Sequence, residues 1–128
     1  MATILDTIAE ATRARVAEAK KNVPLVQIRG AARTLPADTG FPFEKALSAP
    51  GMSFICECKK ASPSKGLIAP NFPYLEIAKS YEDAGASAIS VLTEPQWFLG
   101  QNTYLQEIVQ AVNIPCLRKD LTVDDYMI

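Results

Sequence analysis

The sequence predicts an α/β domain built on a parallel sheet and preceded by a helical extension. Three observations carry that expectation. Short apolar runs begin near Phe54, Ala88 and Cys116, far enough apart for a crossover helix between each pair. Amphipathic segments occupy both intervals. Ahead of Met52 the pattern is that of polar-faced helices joined by a linker.

Thr3 to about Asn22 reads as the first helix. Ile4, Leu5, Ile8, Ala11, Val16 and Ala19 form an apolar stripe at helical spacing, interrupted by Arg15, and most other charges lie opposite. Thr3 can cap its start, and Lys20-Lys21-Asn22 before Pro24 can end it. Pro24 to Ala32 reads as a second short helix, since proline suits a first turn. Arg33 to Phe41, with Pro36 and Gly40, reads as linker, and Phe43 to Leu47 as a helical turn with Pro42 at or before its start. Residues 1–47 are expected as an N-terminal helical extension and residues 48–128 as the α/β part.

From Met52 the rhythm is strand, loop, helix. The first strand, a short buried one, is expected over Phe54 to Lys59. A helix over Tyr74 to Ala84 follows, with Leu75, Ala78 and Tyr81 on one stripe and Gly85 as its stop. The second strand spans Ala88 to Thr93, Glu94 to Gly100 is a loop, and Thr103 to Val112 is the next helix. Pro115 leads into the third strand, Cys116 to Lys119. Thr122 looks like a helix cap, and Val123 to Ile128 like a helix barely begun. A parallel sheet needs both faces covered, and so short a turn cannot supply that cover. The chain therefore reads as a fragment.

Composition narrows the function. With 128 residues, 48% hydrophobic, and a net charge of −1, the chain is one domain's worth of material with no basic excess to meet phosphates. Neither a nucleic acid nor a membrane is expected as partner, and no apolar run approaches a span. Met1-Ala2-Thr3 opens straight into an amphipathic helix, without a signal peptide. Cys56, Cys58 and Cys116 fall in expected strands and form no metal pattern, and histidine is absent. An odd number of thiols on buried strand faces suits a reducing compartment, so a cytoplasmic location is expected. If the chain is enzymatic, proton transfer falls to lysine, carboxylates or tyrosine.

The chemistry gathers at strand ends, where parallel α/β folds place their sites. Alternation puts Glu57 and Lys59 on one face of the first strand and Cys56 and Cys58 on the other. An acid and a base two residues apart can neutralise each other, and a solvent-facing ion pair is the plain alternative. Ser62-Pro63-Ser64-Lys65-Gly66 has the hydroxyls, cation and glycine of a loop that receives an anion. The second strand ends in Thr93 and Glu94 ahead of Trp97-Phe98, and the third in Lys119 and Asp120. Lys59 and Lys119 at one mouth would repel, lowering the pKa of at least one, or would form an anion site. A solvated strand end for Lys119-Asp120, and a core or interface contact for Trp97-Phe98, are the alternatives.

Glu57-Cys58-Lys59-Lys60-Ala61-Ser62-Pro63-Ser64-Lys65-Gly66 resembles the first-strand signature of the indole-3-glycerol-phosphate synthases. Ile89-Ser90-Val91-Leu92-Thr93-Glu94 with Trp97-Phe98-Leu99-Gly100, and Ile114-Pro115-Cys116-Leu117-Arg118-Lys119-Asp120, resemble the second and third. The helical opening resembles that family's extension ahead of its barrel. The resemblance implies a (β/α)8 barrel, a TIM barrel typically of about 250 residues, of which this chain would hold the extension, strands one to three and the start of helix three. It implies ring closure and decarboxylation of 1-(o-carboxyphenylamino)-1-deoxyribulose 5-phosphate to indole glycerol phosphate in tryptophan biosynthesis, with no cofactor and no metal. Lys119 would be the general acid and Lys59 would hold substrate anions and assist dehydration, the division of steps between the two lysines staying open, and Glu57 would orient Lys59 and help place the substrate. Ser62 would contact the substrate near its carboxylate, and Phe98 would pack on its aromatic ring.

That family's later catalytic glutamates, its asparagine and its phosphate loops have no counterpart in these residues. The chain alone is expected to be inactive, and to self-associate through uncovered strand edges. The competing expectation is a half-barrel that binds a phosphorylated ligand without catalysis, and a further one is another phosphate-handling barrel enzyme.

Overall fold

The structure, a computed structural model, describes residues 1–128. It divides into two compact units, Gly40–Asp120 and Met1–Thr39 with Leu121–Ile128.

The larger unit holds the sheet. Strands β1 (Ile55–Cys58), β4 (Ala88–Leu92) and β5 (Cys116–Lys119) run parallel in the order β1-β4-β5. Helix α4 (Tyr74–Asp83) connects the first two and α5 (Asn102–Ala111) the last two, as the spacing predicts. A short helix α3 (Pro42–Leu47) opens this unit. Every residue of β4 is buried, as expected of a central strand.

Register decides which side chain meets which. Cys56 pairs with Ile89 and Ile89 with Cys116, so these three share a face with Cys58 and Val91. That face meets the helices, where Cys58, Ile89 and Val91 pack with Ala78 of α4 and Tyr104 and Ile108 of α5. Glu57 pairs with Ser90, and Leu92 with Lys119, on the other face. The expected burial of the first strand is corrected at its start: Phe54 and Ile55 are 58% and 48% exposed. β1 is an edge strand: the core cluster on its helix side takes in Cys58 but not Phe54, and Ile55 lies on the opposite face with Glu57.

Gly85 stops α4 by a Schellman motif. Its N–H donates to the Glu82 carbonyl and that of Ala86 to Tyr81, with Gly85 at φ +92°, a conformation glycine adopts without penalty. The residues after β1 hold an element the sequence reading missed. β2 (Ala61–Ser62) and β3 (Gly66–Leu67) pair antiparallel as a hairpin around Pro63-Ser64-Lys65. The Lys60 carbonyl accepts from the N–H groups of Ile68 and Ala69 and closes its base.

The smaller unit is helical. In α1 (Ile4–Asn22), Thr3 and Asp6 form a reciprocal capping box. The buried stripe is Ile8, Thr12 and Val16, while Ile4 and Leu5 of the expected stripe are exposed. Thr12 joins the buried side because its hydroxyl donates to the Ile8 carbonyl at 2.8 Å and so brings no unpaired polar atom with it. α2 covers Leu25–Ala32. At the other end of the chain a 3₁₀ turn, Asp125–Met127, replaces the expected helical start. Its cap is Asp124 rather than Thr122, because the Asp124 carboxylate accepts from the Tyr126 N–H at 2.8 Å. Lys20 pairs with Asp124 at 2.6 Å, and the Tyr126 hydroxyl reaches the carbonyls of Val23 and Ala19.

Ile108 is fully enclosed between α5, α4 and the sheet, whereas Val109, its neighbour, is exposed. Ile108→Ala should cost about 3 kcal/mol of stability, and Val109→Ala less than about 0.5 kcal/mol. Urea titrations of the two variants read the difference, and equal losses would contradict this account of the core.

Candidate active site

The carboxyl ends of β1, β4 and β5 bring their polar side chains to one edge of the sheet. At the centre is Glu57. One carboxylate oxygen lies 2.9 Å from the Lys59 ammonium, and the other 2.8 Å from that of Lys119. The Ser90 hydroxyl donates to this second oxygen at 3.0 Å. Register accounts for the arrangement. Ser90 lies directly beside Glu57 on the neighbouring strand, and Lys119 lies one strand further, two residues up the same face. The repulsion foreseen between two cations is met here by a carboxylate that both share.

The Glu57 half-burial pushes its carboxyl pKa up, but the hydrogen bonds from Lys119, Lys59 and Ser90, with the Lys119 charge, outweigh it and hold the group below its ordinary 4.5. Each ion pair is partly solvated, which limits it to about 1 kcal/mol or less. Their value lies in geometry rather than in stability.

Asp120 is held separately. Its side chain is fully enclosed, accepting from the Thr93 hydroxyl at 2.9 Å and pairing with Arg118 at 3.4 Å. Thr93 also donates its N–H to the Lys119 carbonyl at 3.0 Å. The backbone on both sides of Lys119 is thereby tied to the end of β4.

Glu94 is buried as well, and its carboxylate accepts from the N–H groups of Gln96, Trp97 and Phe98 at 2.7 to 3.0 Å. The loop closes at Gly100. A Cβ there would stand 2.2 Å from the Leu92 carbonyl oxygen, so only glycine allows this approach.

Of the residues singled out by sequence, Glu57, Lys59 and Lys119 come together. Ser62 and Phe98 are not hydrogen-bonded to them. The Ser62 hydroxyl is turned into the hairpin, where it accepts the Lys65 N–H at 3.2 Å, and Phe98 is half-buried on the β4–α5 loop. Ser90 was not singled out. Its signal was the register with Glu57, which one strand read alone does not reveal. The thiols sit on the opposite face. Burial first, then the neighbouring Cys116 and Glu57, push the Cys58 pKa up to about 11, so it stays protonated near neutrality. No cluster of histidine, cysteine and carboxylate side chains is arranged to hold a metal. No helix is long and apolar enough to cross a membrane.

Because the folded-state pKa of Glu57 is depressed, its contribution to stability is present above 4.5 and fades as pH falls through the lower folded value. Glu57→Gln should therefore lower stability near neutrality, change it little once pH is below the folded value, and so flatten the acid side of the profile. Urea midpoints of both chains across that range test this, and parallel acid limbs would refute it.

The family described as indole-3-glycerol phosphate synthase matches residues 5–128. The chain is 54% identical to the indole-3-glycerol phosphate synthase of Ruminiclostridium cellulolyticum over 125 residues, 98% of this chain and 48% of that protein. It is 53% identical to the enzyme of that name from Endomicrobium trichonymphae and 48% to that from Lacticaseibacillus paracasei, with the same coverage. The chain thus spans about half the length of the curated relatives it matches. With a parallel α/β sheet in hand and a match running from its first helix to its last residue, the chain belongs to the indole-3-glycerol phosphate synthase family.

Proposed function

We propose that this chain supplies the first three βα units, with their helical extension, of a (β/α)8 barrel that closes and decarboxylates 1-(o-carboxyphenylamino)-1-deoxyribulose 5-phosphate to indole glycerol phosphate. The observation that carries the reading is the single carboxylate of Glu57 holding the ammonium groups of Lys59 and Lys119 at one strand-end edge. Family membership makes that edge the place to look for the chemistry.

Lys119 is the general acid that gives its proton to the substrate's carbonyl oxygen as the ring closes. That oxygen gains negative charge in the transition state, and an ammonium within reach both neutralises and protonates it. Lys59 holds the substrate's anionic groups and assists the later loss of water. Glu57 fixes both lysines, and Ser90 holds the carboxylate in turn. Ser62 contacts the substrate near its carboxylate and Phe98 lies against its aromatic ring. No cofactor or metal takes part, and the phosphorylated substrate is the partner. The remaining acid-base groups and the phosphate cradle lie in the other half of the relatives' length, so this chain alone is inactive.

The assay is turnover of that substrate by the chain alone and by the chain mixed with the complementary βα units. Activity only on mixing supports the proposal; activity of the chain alone refutes the division of the site. In the full-length protein, Lys119→Ala should lower kcat by roughly a hundredfold or more while substrate binding changes far less, and unchanged turnover would sink the assignment.

The outer edges of β1 and β5 pair with no strand, and Ile55 and Leu117 are exposed on the sheet face that carries Glu57. The chain self-associates through these edges. Sedimentation at rising concentration should show species above 13.9 kDa, and a strict monomer would contradict it.

A further inference from the structure

We propose that Glu94 is a positioning residue that fixes the Trp97-Phe98 turn and thereby places the Phe98 ring; the second step rests on the reading of Phe98 as the substrate's aromatic wall. Glu94 itself has no part in proton transfer. Glu94 is only 2% exposed, which is unusual for a carboxylate, and a buried carboxylate is tolerated only where donors satisfy it.

Here both oxygens are satisfied by consecutive backbone N–H groups. One accepts from Gln96 at 2.9 Å, the other from Trp97 at 2.7 Å and Phe98 at 3.0 Å. Pro95 has no N–H, so these are the first three amide donors after Glu94. Their convergence on one point is the geometry by which successive amides hold an anion, and the anion is this chain's own side chain.

The dependence is mutual: without the carboxylate, three amides converge on a site with no acceptor, and without the turn a buried carboxylate has no donors. The far end of the loop is fixed independently. The Gly100 N–H donates to the Glu94 carbonyl at 2.8 Å, and Gly100 lies against the Leu92 carbonyl where no side chain fits. Glu94 is therefore held at the end of β4 while its side chain sets the backbone of the residues between. Phe98, half-buried, takes its direction from that backbone.

Trp97 is the only tryptophan and sits in the turn, so its fluorescence reports the turn directly in the 128-residue chain. In the unaltered chain, the amides of Gln96, Trp97 and Phe98 should exchange at least roughly tenfold more slowly than unstructured amides. In Glu94→Gln one oxygen becomes a donor. Exchange at these three amides should then rise about tenfold while β4 amides hold, and Trp97 emission should move to longer wavelength with stronger acrylamide quenching. Unprotected amides in the unaltered chain would overturn the proposal, and this measurement decides even if the variant does not fold. A folded Glu94→Gln chain with unchanged exchange and emission would overturn it too.

In the full-length protein, Glu94→Gln and Phe98→Ala should each raise KM several-fold with a smaller change in kcat, and the double variant should be little worse than either. If Phe98→Ala leaves KM unchanged while the turn loosens in Glu94→Gln, the aromatic-wall assignment falls and the positioning of the turn stands.

Discussion

The Glu57 carboxylate accepts hydrogen bonds from Lys59, Ser90 and Lys119 at once, and those donors come from the end of β1, from β4 and from β5. Such a meeting requires three strands in parallel register with the same face forward. A slip of one residue in either pairing would send Ser90 or Lys119 to the helix side. The site and the sheet are therefore one constraint. What fixes the register is the opposite face, where Cys58, Ile89 and Val91 must all point into the helices. Apolar packing behind the sheet specifies the polar geometry in front of it.

The polar groups fall into two classes. Glu57, Lys59 and Lys119 are partly solvated and pair with one another. Asp120 and Glu94 are enclosed and occupied by protein donors, Asp120 beside Lys119 and Glu94 within its own loop. Thr93 contributes to both ends, bonding Asp120 with its hydroxyl and the Lys119 carbonyl with its N–H.

The major helices and parallel strands were legible in the sequence because long-range packing and local pattern agree there. β4 and β5 follow apolar runs closed by turn signals, and Gly85 stops α4 by the mechanism its residue type suggests. The trio Glu57, Lys59 and Lys119 was legible from alternation and strand-end position. What was not legible depends on partners distant in sequence. The Ala61–Leu67 hairpin consists of two-residue strands whose composition is that of a turn. Thr12 lies on the buried stripe because of a hydroxyl bond no hydropathy pattern records. Glu94 reads as one more strand-end charge until the three amides around its carboxylate are seen. Asp124 outcompetes Thr122 as a cap because it also meets Lys20, 104 positions away.

That last contact bears on the order in which the chain can organise itself. The Tyr126 hydroxyl meets the Ala19 carbonyl across 107 positions and the Val23 carbonyl across 103, so the carbonyls at the end of α1 find this donor only after that length of chain has been made. Closing a loop of that length is entropically slow. During synthesis α1 can form early from its own capping box, yet its carboxyl end stays dressed by water until Tyr126 arrives. A helix that can start from its own cap thus waits on a distant residue to be finished.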